Sequence, residues 1–196
     1  MWPGITPGMS VREVAVDAYR EALPALATSV VAGLFAGVVL GGMRPELRAV
    51  PGLLVLVPAL LATRGNVYGS LGARLATALH QGLIEPRIDP GDWRLRAAVA
   101  AALSSGLVVS AFAAVTAFAV LSTLGSRVAP VGTLVVVAVL SGIMSGLVLV
   151  IAVVSVVVVG FRRGRDPDAL VGPIVTTTGD LFGLASLLFA VRVVVG

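Results

Sequence analysis

The chain has no cysteine and no lysine, a single histidine, and charged residues at only 12% of its 196 positions. Without cysteine there are no disulfides and no thiolate metal sites, and His80 alone cannot build a histidine cluster for zinc or copper. At a helix end it reads as an interfacial residue, although an imidazole titrates near neutral pH. A cleavable signal peptide is not expected, since residues 1–10 are short, hold two Pro and two Gly, and lack a charged start. The alternation of apolar and polar residues that a transmembrane β-barrel needs is missing too.

What the chain does have is apolar length. Hydrophobic residues make up 58% of it and the mean hydropathy is +1.05, more than a soluble domain of this size needs to fill one core. Crossing about 30 Å of hydrocarbon takes roughly 20 apolar residues in a helix. The runs predict an all-α membrane protein with five transmembrane helices over approximately 22–43, 51–81, 95–124, 131–160 and 170–195. Residues 1–10 read as a tail and 11–196 as one five-helix transmembrane domain, embedded in membrane lipid.

All 14 basic residues are arginine, and their net excess of +4 raises the question of nucleic acid. Their grouping argues against it: Arg87, Arg94 and Arg96 fall in one loop region and Arg162, Arg163 and Arg165 in another, as in the cytoplasmic loops of multi-span proteins. No nucleic-acid partner is therefore expected. With Arg12 and Arg20, an N-terminus inside collects eight arginines on the cytoplasmic side against Arg44, Arg48 and Arg127 outside. The expected topology in the cell membrane is N-terminus cytoplasmic, C-terminus outside.

Local signals place the ends. Ser10-Val-Arg-Glu13 reads as a capping box and starts a helix at Val11 whose first turns are amphipathic. Pro24 should kink it. Gly33, Gly37 and Gly41 form two GxxxG steps, expected to favour close helix packing. Arg44 to Arg48 reads as a short loop. From Val50 to Thr63 only 14 residues are free of charge. Either one long helix runs from Pro51 to Gln81 with its polar face inward, or the chain breaks near Gly65; both place Asn66 at membrane depth, where a polar break must line a cavity or be buried. Asp166-Pro167 suits an N-cap and first-turn proline for the last helix.

Asp180 is the one carboxylate deep inside an uncharged stretch. A charge near mid-membrane costs roughly 2.5–3.5 kcal/mol on insertion scales and reads as a functional site. Thr176, Asp180 and Gly183 fall at i, i+4 and i+7, on one helical face, with Thr177 one step round. Carboxylate and hydroxyl oxygens are hard ligands, suited to Mg²⁺, Ca²⁺ or Mn²⁺, and Mg²⁺ keeps most of its waters, so one or two carboxylates suffice. The alternative is a structural ion pair of Asp180 with Arg64 or Arg192. Asn66 serves either as a pore ligand or as a helix-break residue, and Glu21, one turn after Asp17, either as an acidic mouth or as a solvated face. No nucleophile and base are placed for an enzyme.

Pro58-Ala-Leu-Leu-Ala-Thr-Arg64-Gly65-Asn66, followed by Ala73-Arg74-Leu-Ala-Thr77, resembles the second-helix signature of the MgtE-type magnesium channels and of solute carrier family 41. Asp166-Pro-Asp168, Pro173 and Thr176-Thr-Thr-Gly179-Asp180 resemble the same family's fifth helix, and Glu21-Ala-Leu-Pro24 its first. The resemblance implies a dimer, of this chain with itself or with a similar half-subunit, around a pore lined by helices 2 and 5. It implies Mg²⁺ as the transported ion, with Asp180, Asn66, Thr176 and Glu21 as metal ligands and Gly65, Thr177, Gly183 and Arg64 lining the path. The same residues suit a Na⁺- or H⁺-coupled exporter of divalent cations, and a non-conducting membrane subunit is the reading from another class. One departure is Val67-Tyr68-Gly69, bulkier than the small and polar residues of the bacterial channels.

Overall fold

The computed structural model describes residues 10–164 and 167–196, the side chains at 14, 17, 18, 21, 22, 24, 25, 168 and 169 excepted. The described chain is helical and has no strand: α1 Val11–Gly42, α2 Arg44–Ala49, α3 Leu53–His80, α4 Trp93–Thr123, α5 Val131–Arg162 and α6 Pro167–Val195. The capping box forms, with Glu13 N donating to Ser10 Oγ at 3.3 Å and Ser10 N to Glu13 Oε2 at 2.7 Å. The Ser10 backbone N–H, and then its hydroxyl, which donates to the same Glu13 Oε2 at 2.9 Å, hold the Glu13 carboxyl below the usual carboxylate range. At the start of α4, Arg94 N donates to Asp92 Oδ1 at 2.8 Å. Asp166 lies outside the described residues, but Pro167 does open α6.

Two expectations change, and one open alternative closes. The segment Arg44 to Arg48 is not a loop but the helix α2, set off by Pro45 in its first turn. Gly52, at φ 95°, then turns the chain into α3. Its backbone lies against Leu121, and Ala129 N donates to Pro51 O at 2.8 Å, so this corner packs on the 124–130 connection. Of the two courses open to the second long segment, the unbroken helix is the one formed. It runs as one helix through Pro58, Gly65 and Asn66, because a lone glycine costs only about 1 kcal/mol and flanking apolar turns are buried. Against expectation, the Gly33, Gly37 and Gly41 face is open: no atom stands within 4 Å of where a side chain would begin, while Ala32 and Ala36 are the buried positions among the described side chains of α1.

Among the described residues, α3, α4, α5 and Leu170–Val195 of α6 are long and apolar enough to cross a membrane. The apolar part of α1, Leu26–Gly42, has 17 residues, at the lower limit for a span. Short connections at 81–92, 124–130 and 163–166 make sequence neighbours antiparallel. Helices α3 to α6 pack as a cluster in which α5 touches all three others, and α1 lies outside it against α6.

Two apolar cores fill this cluster. One, at the end carrying α2, is built from Leu53, Leu56, Leu60, Leu134, Val137 and Leu187 among others. The other, at the end carrying the 81–92 connection, includes Leu71, Leu75, Leu79, Leu149, Val153 and Val157. Between them, all four helices carry polar and small residues at buried or half-buried positions.

Candidate cation site and its polar belt

That level contains Arg64 of α3, Gly106 and Ser110 of α4, Ser141, Gly142, Ser145 and Gly146 of α5, and Thr176, Gly179, Asp180 and Gly183 of α6. Small residues let helix backbones approach in a medium where lipid tails compete for apolar surface. Ser110 Oγ stands 2.9 Å from where a side chain at Gly142 would begin, and the Tyr68 ring inserts its hydroxyl end against Gly146 and Gly106. The bulk at Tyr68 is accommodated there, fully inside the subunit. Ser110 donates to Gly106 O at 2.7 Å and Ser145 to Ser141 O at 2.7 Å, so the buried hydroxyls satisfy themselves on their own helices.

Arg64 is 5% exposed. Its Nη2 donates to Ser141 Oγ at 2.6 Å, its Nε has no partner, and a side-chain carbon at Gly183 would stand 2.5 Å from its Nη1. Arg64 and Gly183, both expected along a cation path, thus meet each other inside the subunit. Neither structural ion pair considered for Asp180 is formed. Arg192 instead holds Glu46 of α2, Nε to Oε1 at 2.8 Å, and this bond keeps the Glu46 carboxyl below the usual carboxylate range.

Asp180 is half-buried and has no hydrogen bond or ion pair to any described residue. Thr176, one turn earlier on the same face, is exposed, and its hydroxyl donates to Gly172 O at 3.0 Å, which leaves the oxygen lone pairs free to accept. Thr177 is half-buried beside it. Asn66 is exposed and opens into a groove of about 270 Å³ between α3 and α4, shared with Ser70, Arg74 and Ser105. No hydrogen bond joins it to Asp180. Asn66, Ser70 and Arg74 form a row at i, i+4 and i+8, a helical spacing that is present in the sequence. Gly65 is half-buried at the same level. Glu21 lies on α1, with its side chain outside the described residues. No group of three or more His, Asp or Glu gathers among the described residues.

The fold and this belt define a class first: a multi-span helical membrane protein that carries an unneutralised carboxylate at mid-span. The family follows from comparison, since a profile described as MgtE, divalent cation transporter, matches residues 57–190, more than half of the chain and all four belt segments. The chain belongs to the MgtE family of divalent cation transporters. It is similar to solute carrier family 41 member 3 of Rattus norvegicus, 30% identical over 146 residues that cover 73% of this chain and 31% of the relative. Member 2 of the same solute carrier family from Homo sapiens is 29% identical over 147 residues, 71% of this chain and 25% of the relative. The chain spans less than a third of either relative.

Proposed function

We propose that this chain supplies half of a membrane path for divalent cations, Mg²⁺ foremost, completed by a second copy or a similar half-subunit. The observation that carries the proposal is the Asp180 carboxylate, unpaired within a span where an uncompensated charge is costly. A partly hydrated divalent ion between two copies of Asp180 supplies the missing positive charge, with Thr176 and Thr177 as neutral oxygen ligands nearby. Asn66 contributes an amide oxygen from the exposed face of α3, and Glu21 acts near the mouth. In this proposal α1 is the fifth span, its N-terminus is cytoplasmic, and the small-residue and polar faces left open on α1, α3 and α6 turn toward the partner. Moving two charges through 100 mV is worth about 4.6 kcal/mol, taking roughly 2.3 for each charge, so uptake needs no further energy source.

The test is ion flux into liposomes containing purified protein, wild type against Asp180→Asn, across Mg²⁺, Ca²⁺, Mn²⁺ and Na⁺. Mg²⁺ flux should fall to background in the variant. Equal Mg²⁺ flux from both proteins would sink the ligand role of Asp180, and flux of Na⁺ alone would replace the divalent reading.

A further inference from the structure

A buried guanidinium packs against α6 one helical turn from an unpaired carboxylate. Arg64 presses its Nη1 against Gly183 of α6, and Gly183 follows Asp180 by three positions, the spacing that puts side-chain origins about 5–6 Å apart on a helix surface. The Asp180 side chain therefore originates one helical turn from the point where the guanidinium meets α6. Yet the guanidinium is turned away, toward the neutral Ser141 hydroxyl on α5, and leaves its buried Nε unsatisfied. A neutral hydroxyl solvates a cation poorly compared with a carboxylate, and a buried charge is retained at such a site only with a counter-charge within reach.

We infer that Arg64 is an internal rival of the transported cation: it moves from Ser141 to Asp180 when the cation site is empty and is displaced back to Ser141 when a divalent ion arrives. This rests on Asp180 being the cation ligand, and it adds what determines the affinity of that site. In the empty state the Arg64 to Asp180 pair neutralises both charges within the membrane. In the occupied state the ion takes the carboxylate, and Ser141 holds the guanidinium. Affinity is then reduced by the fraction of molecules in which Asp180 is already taken. A side chain at Gly183 would begin 2.5 Å from Nη1, in the space the guanidinium now occupies. Arg64 does not touch the ion; it acts through Asp180.

The rivalry is read by calorimetric titration of Mg²⁺ into the full chain purified in detergent. Arg64→Gln keeps a polar group for Ser141 and removes the rival charge, so binding should tighten about tenfold. Ser141→Ala removes the resting partner, shifts Arg64 toward Asp180, and should weaken binding about threefold. Arg64→Lys keeps the charge and should bind much as wild type does. A merely structural role for Arg64 and Ser141 would weaken binding in both variants, so unchanged or weaker binding by Arg64→Gln overturns the inference. If that variant does not fold, unchanged or tighter binding by Ser141→Ala overturns it instead. Asp180→Asn separates the two levels: lost binding there with no opposite shifts elsewhere removes only the rivalry, whereas retained binding removes Asp180 as the ligand and the rivalry with it.

Discussion

On either side of Arg64 the subunit is packed by leucine and valine, whereas the level of Arg64 is packed by glycine and serine around a few polar groups. The apolar cores are tolerant by nature, because aliphatic side chains of similar volume replace one another at modest cost. The belt is not tolerant. Its contacts depend on backbones approaching past residues with no side chain, and on hydroxyls and one guanidinium whose donors have few acceptors. The same span thus does two things along its length: the ends hold the helices together, and the middle holds charge within the membrane.

The hardest way to break that difference is to add volume in the belt. Gly146→Val places a branched side chain where the Tyr68 hydroxyl and Leu103 already sit, and should destabilise the subunit by about 1–3 kcal/mol, seen as a lower melting temperature in detergent. Leu→Ile exchanges in either core serve as controls; a similar loss there would erase the distinction between belt and core. A smaller effect is expected at the α2 end. Glu46→Gln removes the Arg192 partner and should lower the melting temperature slightly at neutral pH. Because Glu46 titrates below the ordinary carboxylate range, the stability it contributes is present above that range and fades as pH falls through its lowered pKa. Wild type and variant should therefore converge in acid, and a gap that persists there would mean the loss is one of packing. The last effect is a gain: Gly37→Ala faces open space and should stabilise the isolated subunit by no more than about 1 kcal/mol, the helix-propensity difference between the two residues. A large loss would show that α1 packs more closely than the described contacts indicate.

Much of the architecture was legible in the residues. The last three spans begin and end within about two or three residues of the apolar runs that predict them, and the Ser10 to Glu13 capping box forms as written. Such features depend on neighbours a few positions away, so a local pattern is enough. The short helix α2 was missed because Pro45 and two arginines resemble a loop, although proline is welcome in a first turn. At the site, Asp180 with Thr176 on one face was legible from helical spacing and from the rarity of a charge at that depth. The fates of Arg64 and Arg192 were not, since their partners, Ser141 and Glu46, are 77 and 146 positions away.

By itself the sequence determined that this is a helical membrane protein, where most of its spans lie, and that one carboxylate sits at mid-span. These follow from hydropathy summed over windows and from the 3.6-residue period. Only the tertiary structure decided which glycines are contacts and which are surface. Gly142 and Gly146 share the spacing of Gly33, Gly37 and Gly41, yet the first pair receives Ser110 and Tyr68 while the second set meets nothing. Spacing describes what a helix can offer to a neighbour. Which neighbour arrives is set by long-range packing, and there the position of Arg64 beside Gly183 was settled.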